Sequence, residues 1–177
     1  LDDADPTRLG ISQAAVDEIL SYIFTDKATQ AAVILKNGYL IGSRYAQGHD
    51  KYSMGTSWSV AKSFYSAALG VAIDEGWIES VDQKASVFLT EWLGTDKEDI
   101  TLRNILEMRS GIPGGDHGGK SFIREANQTK SAIDMELSGI PSVTFRYSNP
   151  TSQLFEPVLQ RATGLDAHTY LAQKILT

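Results

Sequence analysis

The order of predicted elements points to an α+β fold: one amphipathic helix, then a β-hairpin, then a run of helices, without the strand and helix alternation that builds a parallel sheet. Three observations carry this. "GISQAAVDEILSYIF" has helical periodicity, "AAVILKNGYLIGSRYA" is two apolar runs joined by a turn, and the stretch from Trp58 onward reads as helices, caps and loops. The same order divides the chain into residues 1–57, an N-terminal helix and hairpin, and residues 58–177, a helical domain.

In the first helix Ser12 is placed as N-cap, Ile11 and Val16 have the spacing of a hydrophobic staple, and Val16, Ile19, Leu20 and Ile23 share one face. Asn37-Gly38 then predicts a two-residue hairpin, because a type I′ turn needs φ > 0 at both central positions. From Trp58 to Glu75, Val60, Phe64, Ala68, Val71 and Ala72 recur at helical spacing and Gly76 ends the run, which predicts an Ala-rich, largely buried helix. "SVDQKASVFLTEW" reads as a loop with a short helix. "TLRNILEMRSG" reads as a helix capped by Thr101 and stopped by Gly111, followed by a glycine-rich segment and a mixed polar region to Gly139. In "NPTSQLFEPVLQRATG" Asn149 is the expected N-cap and Pro150 the first helical residue, with Leu154, Val158, Leu159 and Ala162 facing inward. A last helix is expected over Ala167–Leu176.

Composition excludes several functions. With 42% hydrophobic and 21% charged residues the chain can build a packed core, and no apolar run approaches the roughly 18 residues of a membrane span. A net charge of −6 argues against a nucleic-acid surface, which needs clustered Lys and Arg. The absence of cysteine excludes disulfides and thiol catalysis, and three histidines without an HExxH pattern give no zinc site. The start, "LDDADPTRLG", has no signal-peptide pattern, so any export signal is expected to have been removed already.

"GGDHGGKS", Gly114–Ser121, matches the phosphate-loop pattern G-x-x-x-x-G-K-[ST]. That pattern binds phosphate only between an entering strand and a leaving helix. Here a helix and its stop, "NILEMRSGIP", precede it, and Asp116 places a carboxylate in the would-be anion cradle. The segment, including His117, therefore reads as a flexible surface loop.

Chemistry lies elsewhere. In "SWSVAKSFY", Ser59 and Lys62 form S-x-x-K at the start of a helix, and residues i and i+3 share a helix face, so the amine can reach the hydroxyl. A serine becomes a nucleophile when a neighbouring base takes its proton, and a lysine serves if burial lowers its pKa. A helix N-terminus adds free N–H groups for a developing oxyanion. The structural alternative is a capping serine beside a snorkelling lysine. A second element, Tyr147-Ser148-Asn149 in "FRYSNP", adds a phenol and an amide about 90 residues later.

Together these residues resemble the serine beta-lactamase and penicillin-binding protein superfamily, in its branch of class C beta-lactamases, D-alanyl-D-alanine carboxypeptidases and esterases. The resemblance extends to "GVAIDEGWIESVDQKASVFLTEW", to "ITLRNILEMRSGI", and to "FRYSNPTSQLFEPVLQRATGLDAHTYLAQKIL". It implies a beta-lactamase-like fold, an antiparallel sheet flanked by helices plus a helical domain. It also implies an acyl-enzyme mechanism in which Ser59 attacks a carbonyl, Lys62 accepts or shares its proton, Tyr147 relays it to the leaving group, and Asn149 orients the substrate amide or the lysine. In this branch Y-x-N stands where class A enzymes carry S-D-N. The substrate would be an ester or amide: a beta-lactam, a D-alanyl peptide, a short ester or a small linear amide. No metal or organic cofactor is implied, and the family's habit points to a periplasmic or secreted setting, with a cytoplasmic one the alternative.

Two departures stand out. Arg109 in "EMRSG" replaces the family's usual histidine, and no K-T-G or H-T-G strand motif follows. The resemblance therefore implies the N-terminal half of a larger hydrolase. A complementary C-terminal polypeptide would complete the sheet, and the chain alone would hydrolyse nothing. The competing reading from another class is a non-catalytic binding or assembly protein that has kept the fold.

Overall fold

The computed structural model describes residues 1–114, 116, 117 and 120–176, with side chains for 1–114 and 121–176. The chain forms two compact units, Leu1–Thr56 and Ser57–Thr177.

In the first unit, α1 (Gln13–Ile23) starts where the Ser12 hydroxyl accepts from the Ala15 N–H, a cap worth about 1 kcal/mol. β1 (Ala31–Lys36) and β2 (Tyr39–Tyr45) pair antiparallel through the expected turn, with φ of 51° at Asn37 and 83° at Gly38. A register shift between Ile34 and Leu35 bends the hairpin. Its core is Val16, Leu20 and Ile41, while Ile19, expected on the buried face, is exposed, so the stripe that α1 buries is narrower than its apolar pattern. Residues 2–4 add a short parallel bridge beside Leu40, with Leu40 N–H donating to Asp2 O and Ala4 N–H to Leu40 O.

The second unit opens with α2 (Val60–Asp74), which is half buried rather than largely buried. Ala68, Leu69 and Ala72 lie in the core, whereas Val60 and Phe64 are exposed. Two 3-10 turns, Ala85–Val87 and Thr90–Trp92, follow and bring Trp92 into the core. In α3 (Leu102–Leu106), Thr101 and Asn104 form a reciprocal capping box. The helix ends well before Gly111, because Met108 takes φ 56° and the Arg109 N–H closes back on Asn104 O. Gly111 instead serves a later turn.

β3 (Asp116–His117) and β4 (Lys120–Ser121) form a minimal antiparallel ladder. The expected loop over Gly114–Ser121 lies partly outside the described residues, as do the side chains of Asp116 and His117. The phosphate-loop context is contradicted on both sides, since α3 precedes the segment and a 3-10 turn, Phe122–Arg124, follows it. The region expected as mixed polar holds α4 (Gln128–Asp134), capped by Asn127. Its C-terminal carbonyls find an unusual partner: buried Lys97 donates to Ile133 O at 2.5 Å and Met135 O at 3.2 Å, and Trp92 Nε1 also donates to Ile133 O. Burial pushes the Lys97 ammonium below its ordinary pKa.

The predicted helix after Tyr147 is two: α5 (Asn149–Gln153) and α6 (Phe155–Thr163). Pro157 lacks the N–H that would have bonded Gln153 O, and α5 gives way to α6 at Leu154, whose dihedrals stay helical. Leu154, Phe155, Val158 and Leu159 are buried, and α2 packs against α6 and α7 (Ala167–Lys174), the last capped by Asp166. Among the described residues, no helix is long and apolar enough to cross a membrane.

Candidate active site

Ser59 ends the irregular segment before α2 and stands as its N-cap without making a side-chain cap bond, so its hydroxyl is left for other partners. Its predecessor, Trp58, has φ 45°, a left-handed conformation that costs a non-glycine residue about 1–2 kcal/mol. The strain lies one residue from the hydroxyl. One turn on, Lys62 Nζ donates to Ser59 Oγ at 3.0 Å, the i to i+3 contact the motif predicts.

Tyr147 reaches the same hydroxyl from 88 residues away, with Oη 2.5 Å from Ser59 Oγ. Its placement is set by a stitched turn. Arg146 N–H donates to Met108 O, Ser142 N–H to Arg109 O, and Ser138 N–H to Gly111 O, which ties the segment before Tyr147 to the turn after α3. Gly111 has no room for a side chain: a Cβ there would stand 2.5 Å from Gly139 O. Arg109 Nη1 donates to Ser142 O at 3.2 Å and so holds the two segments together.

Asn149 is not the N-cap. Ser148 is: its hydroxyl accepts from the Thr151 N–H at 3.1 Å and donates to Pro113 O at 2.8 Å, and the residue is fully buried. A serine fits this role because its short side chain reaches the first free N–H groups while its backbone stays extended, here φ −142° and ψ 115°. This frees Asn149. Among the described residues its amide makes no hydrogen bond, and it lines a cleft of about 290 Å³ together with Lys62.

Both Ser59 and Tyr147 are exposed and Lys62 is half-buried. Lys62, first, and the Ser59 hydroxyl, second, hold the Tyr147 phenol below its ordinary pKa. Amine, hydroxyl and phenol thus form one connected hydrogen-bonded group. Of the four predicted residues, the structure joins Ser59, Lys62 and Tyr147 by hydrogen bonds and sets Asn149 at the cleft wall. Sequence reasoning did not single out Ser148 as the buried cap; its signal was the spacing of Ser148 to Thr151, obscured by the neighbouring Asn-Pro.

The second unit thus brings a serine, a lysine and a tyrosine together at the N-terminus of α2. The family model for beta-lactamase matches residues 26–177, and the chain belongs to that family. Solved structures agree in fold. A D-stereospecific amidohydrolase from a Streptomyces species superposes with TM-score 0.71 at 21% identity, over 94% of this chain and 54% of the other. The octameric penicillin-binding protein homologue of Pyrococcus abyssi gives 0.71 at 21% identity, over 94% and 42%. FmtA of Staphylococcus aureus gives 0.68 at 20% identity, over 99% and 50%. The chain thus spans about half the length of the structures it matches. Among curated proteins, nothing matches.

Proposed function

We propose that the protein is a serine hydrolase that forms an acyl-enzyme on an ester or amide, with Ser59 as nucleophile. The observation that carries this is the continuous chain from Lys62 Nζ to Ser59 Oγ to Tyr147 Oη, at 3.0 and 2.5 Å. In acylation Ser59 Oγ bonds to the substrate carbonyl carbon while its proton passes to the Tyr147 and Lys62 pair. The tetrahedral oxyanion collapses, the bond from carbon to the leaving oxygen or nitrogen breaks, and Tyr147 hands the proton to that leaving group. Water then attacks the ester, gives its proton to the same pair, and Ser59 leaves as the hydroxyl. Asn149 orients the substrate amide or Lys62. General acid–base transfer of this kind contributes about 10²- to 10⁴-fold.

The substrate classes this reading admits are beta-lactams, D-alanyl peptides, short esters and small linear amides. A two-stranded sheet is marginal by itself, and three or more strands are the usual minimum. Each sheet among the described residues has two strands, and the chain spans about half the length of the structures it matches.

Release of leaving group from a chromogenic cephalosporin and from 4-nitrophenyl butyrate tests the reading. The purified protein, with any polypeptide that accompanies it, is expected to release a burst of one leaving group per Ser59, and Ser59→Ala none while its circular dichroism is unchanged. Equal release by Ser59→Ala would remove Ser59 as nucleophile.

A further inference from the structure

Tyr147 is delivered to Ser59 by a segment that packing does not hold. Val143, Phe145 and Tyr147 itself are exposed, and residues 143–147 lie in no helix or strand. The course of this segment therefore rests on hydrogen bonds at its two ends. Downstream, the buried Ser148 hydroxyl donates to Pro113 O. Upstream, the anchor is Ser142.

Ser142 has φ 68°, a left-handed conformation that glycine adopts freely and serine adopts only at a cost. Three contacts impose it. Its N–H donates to Arg109 O at 2.8 Å, its O accepts from Arg109 Nη1 at 3.2 Å, and its hydroxyl accepts from Asn104 Nδ2 at 2.9 Å. Asn104 stands behind all three, because its own O accepts from the Arg109 N–H at 2.7 Å. The Asn104 side chain is buried, and its Oδ1 accepts from the Thr101 N–H at 3.1 Å as part of the cap of α3. A primary amide carries an acceptor and a donor at once, so one end caps the helix and the other grips Ser142. The cap needs only the oxygen.

Among the described residues, four non-glycine positions have positive φ, and one of them, Asn37, belongs to the hairpin turn. The other three lie on the segments that meet at the contact of Ser59 with Tyr147: Trp58 precedes Ser59, Met108 O holds the Arg146 N–H, and Ser142 begins the exposed stretch. Backbone strain persists where the surroundings over-determine it, and it clusters at functional sites.

Resting on the acyl-enzyme reading above, we propose that Asn104 and Ser142 are positioning residues, whose side-chain hydrogen bond sets the turn that holds the Tyr147 phenol on Ser59. Loss of that bond frees the exposed stretch, and the phenol drifts from Ser59 and Lys62.

Carbon-13 NMR of tyrosine-labelled protein, with the Tyr147 signal assigned from Tyr147→Phe, reads this placement without turnover. Ser142→Gly removes the hydroxyl and relieves the strain, Ser142→Ala removes the hydroxyl and keeps the strain, and both leave the Asn104 cap intact. In the parent, Lys62 and Ser59 hold the phenol below its ordinary pKa. In both variants its titration is expected to move up, and fluorophosphonate labelling of Ser59 to slow by about ten-fold or more, as misplaced groups do. Leu69→Ala, which disturbs the core elsewhere, is expected to leave the titration unmoved. An unmoved titration in either Ser142 variant, an equal shift in Leu69→Ala, an ordinary phenol titration already in the parent, or variants labelled as fast as a labelled parent would overturn the proposal. The two readings fail separately. A parent that takes no label while the titrations move as expected removes the hydrolase and keeps the grip on Tyr147, whereas labelling with unmoved titrations removes the grip alone.

Discussion

The two halves of α2 do different work. Its C-terminal half places Ala68, Leu69 and Ala72 in the core against α6 and α7. The N-terminal half keeps Val60 and Phe64 in contact with solvent and carries Ser59 and Lys62 at its first turn. One half anchors and the other presents. A helix locked by packing at one end can hold a hydroxyl within hydrogen-bond distance of a phenol from another segment, whereas two loops would lose that geometry to conformational freedom. The same division appears at Tyr147-Ser148-Asn149, where the middle residue is buried and structural while Tyr147 reaches Ser59 and Asn149 lines the cleft.

If that division is right, changes in the presenting half will alter chemistry and leave stability alone. Lys62→Ala is expected to slow acylation of Ser59 by about 10³-fold or more, with the urea midpoint unchanged; stopped-flow labelling measures the first and fluorescence the second. In the anchoring half, Leu69→Ala should cost about 2–5 kcal/mol of unfolding free energy by opening a cavity, while Val60→Ser stays within about 0.5 kcal/mol. Equal costs at the two positions would erase the distinction. Ser148→Ala sits between the extremes. It removes a cap and strands Pro113 O, so a loss of about 1–3 kcal/mol in denaturant unfolding is expected, together with weakened labelling.

Smaller effects concern charge. Tyr147 should ionise below the usual range for a phenol, and Lys62→Met should move its titration back up, since Lys62 is the largest cause of the shift; ultraviolet difference titration reads both. Arg161 holds Glu91 at a pKa of about 2 against an ordinary 4.5. The folded value is depressed, so this pair stabilises fully above pH 4.5 and the contribution is lost as pH falls toward 2. Both side chains are more than a third exposed, which limits the effect to about 1 kcal/mol or less. The difference between Glu91→Gln and the parent in urea unfolding should be smaller at pH 3 than at pH 7.

Much of this was legible in the sequence because it rests on local rules. Ser12, Thr101 and Asn37-Gly38 act within a few residues, and the structure places cap, cap and turn where they were expected. The proximity of Ser59 and Lys62 follows from helix geometry alone. What was not legible depends on tertiary partners. Whether Phe64 or Ile19 is covered is decided by distant segments, and both are exposed. The end of α3 at Leu106 depends on Met108 accepting a left-handed conformation, which no residue preference signals. α4 went unseen because its last carbonyls are satisfied by Lys97, 36 residues upstream of Ile133.

The most direct measurement is an intact-mass spectrum of the denatured protein after incubation with a fluorophosphonate or a penicillin, followed by peptide mapping. A single adduct on Ser59, absent in Ser59→Ala and strongly reduced in Lys62→Ala and Tyr147→Phe, is the predicted result. A folded protein that gains no adduct, or that gains one at another residue, would contradict the assignment of Ser59 as a lysine- and tyrosine-assisted nucleophile.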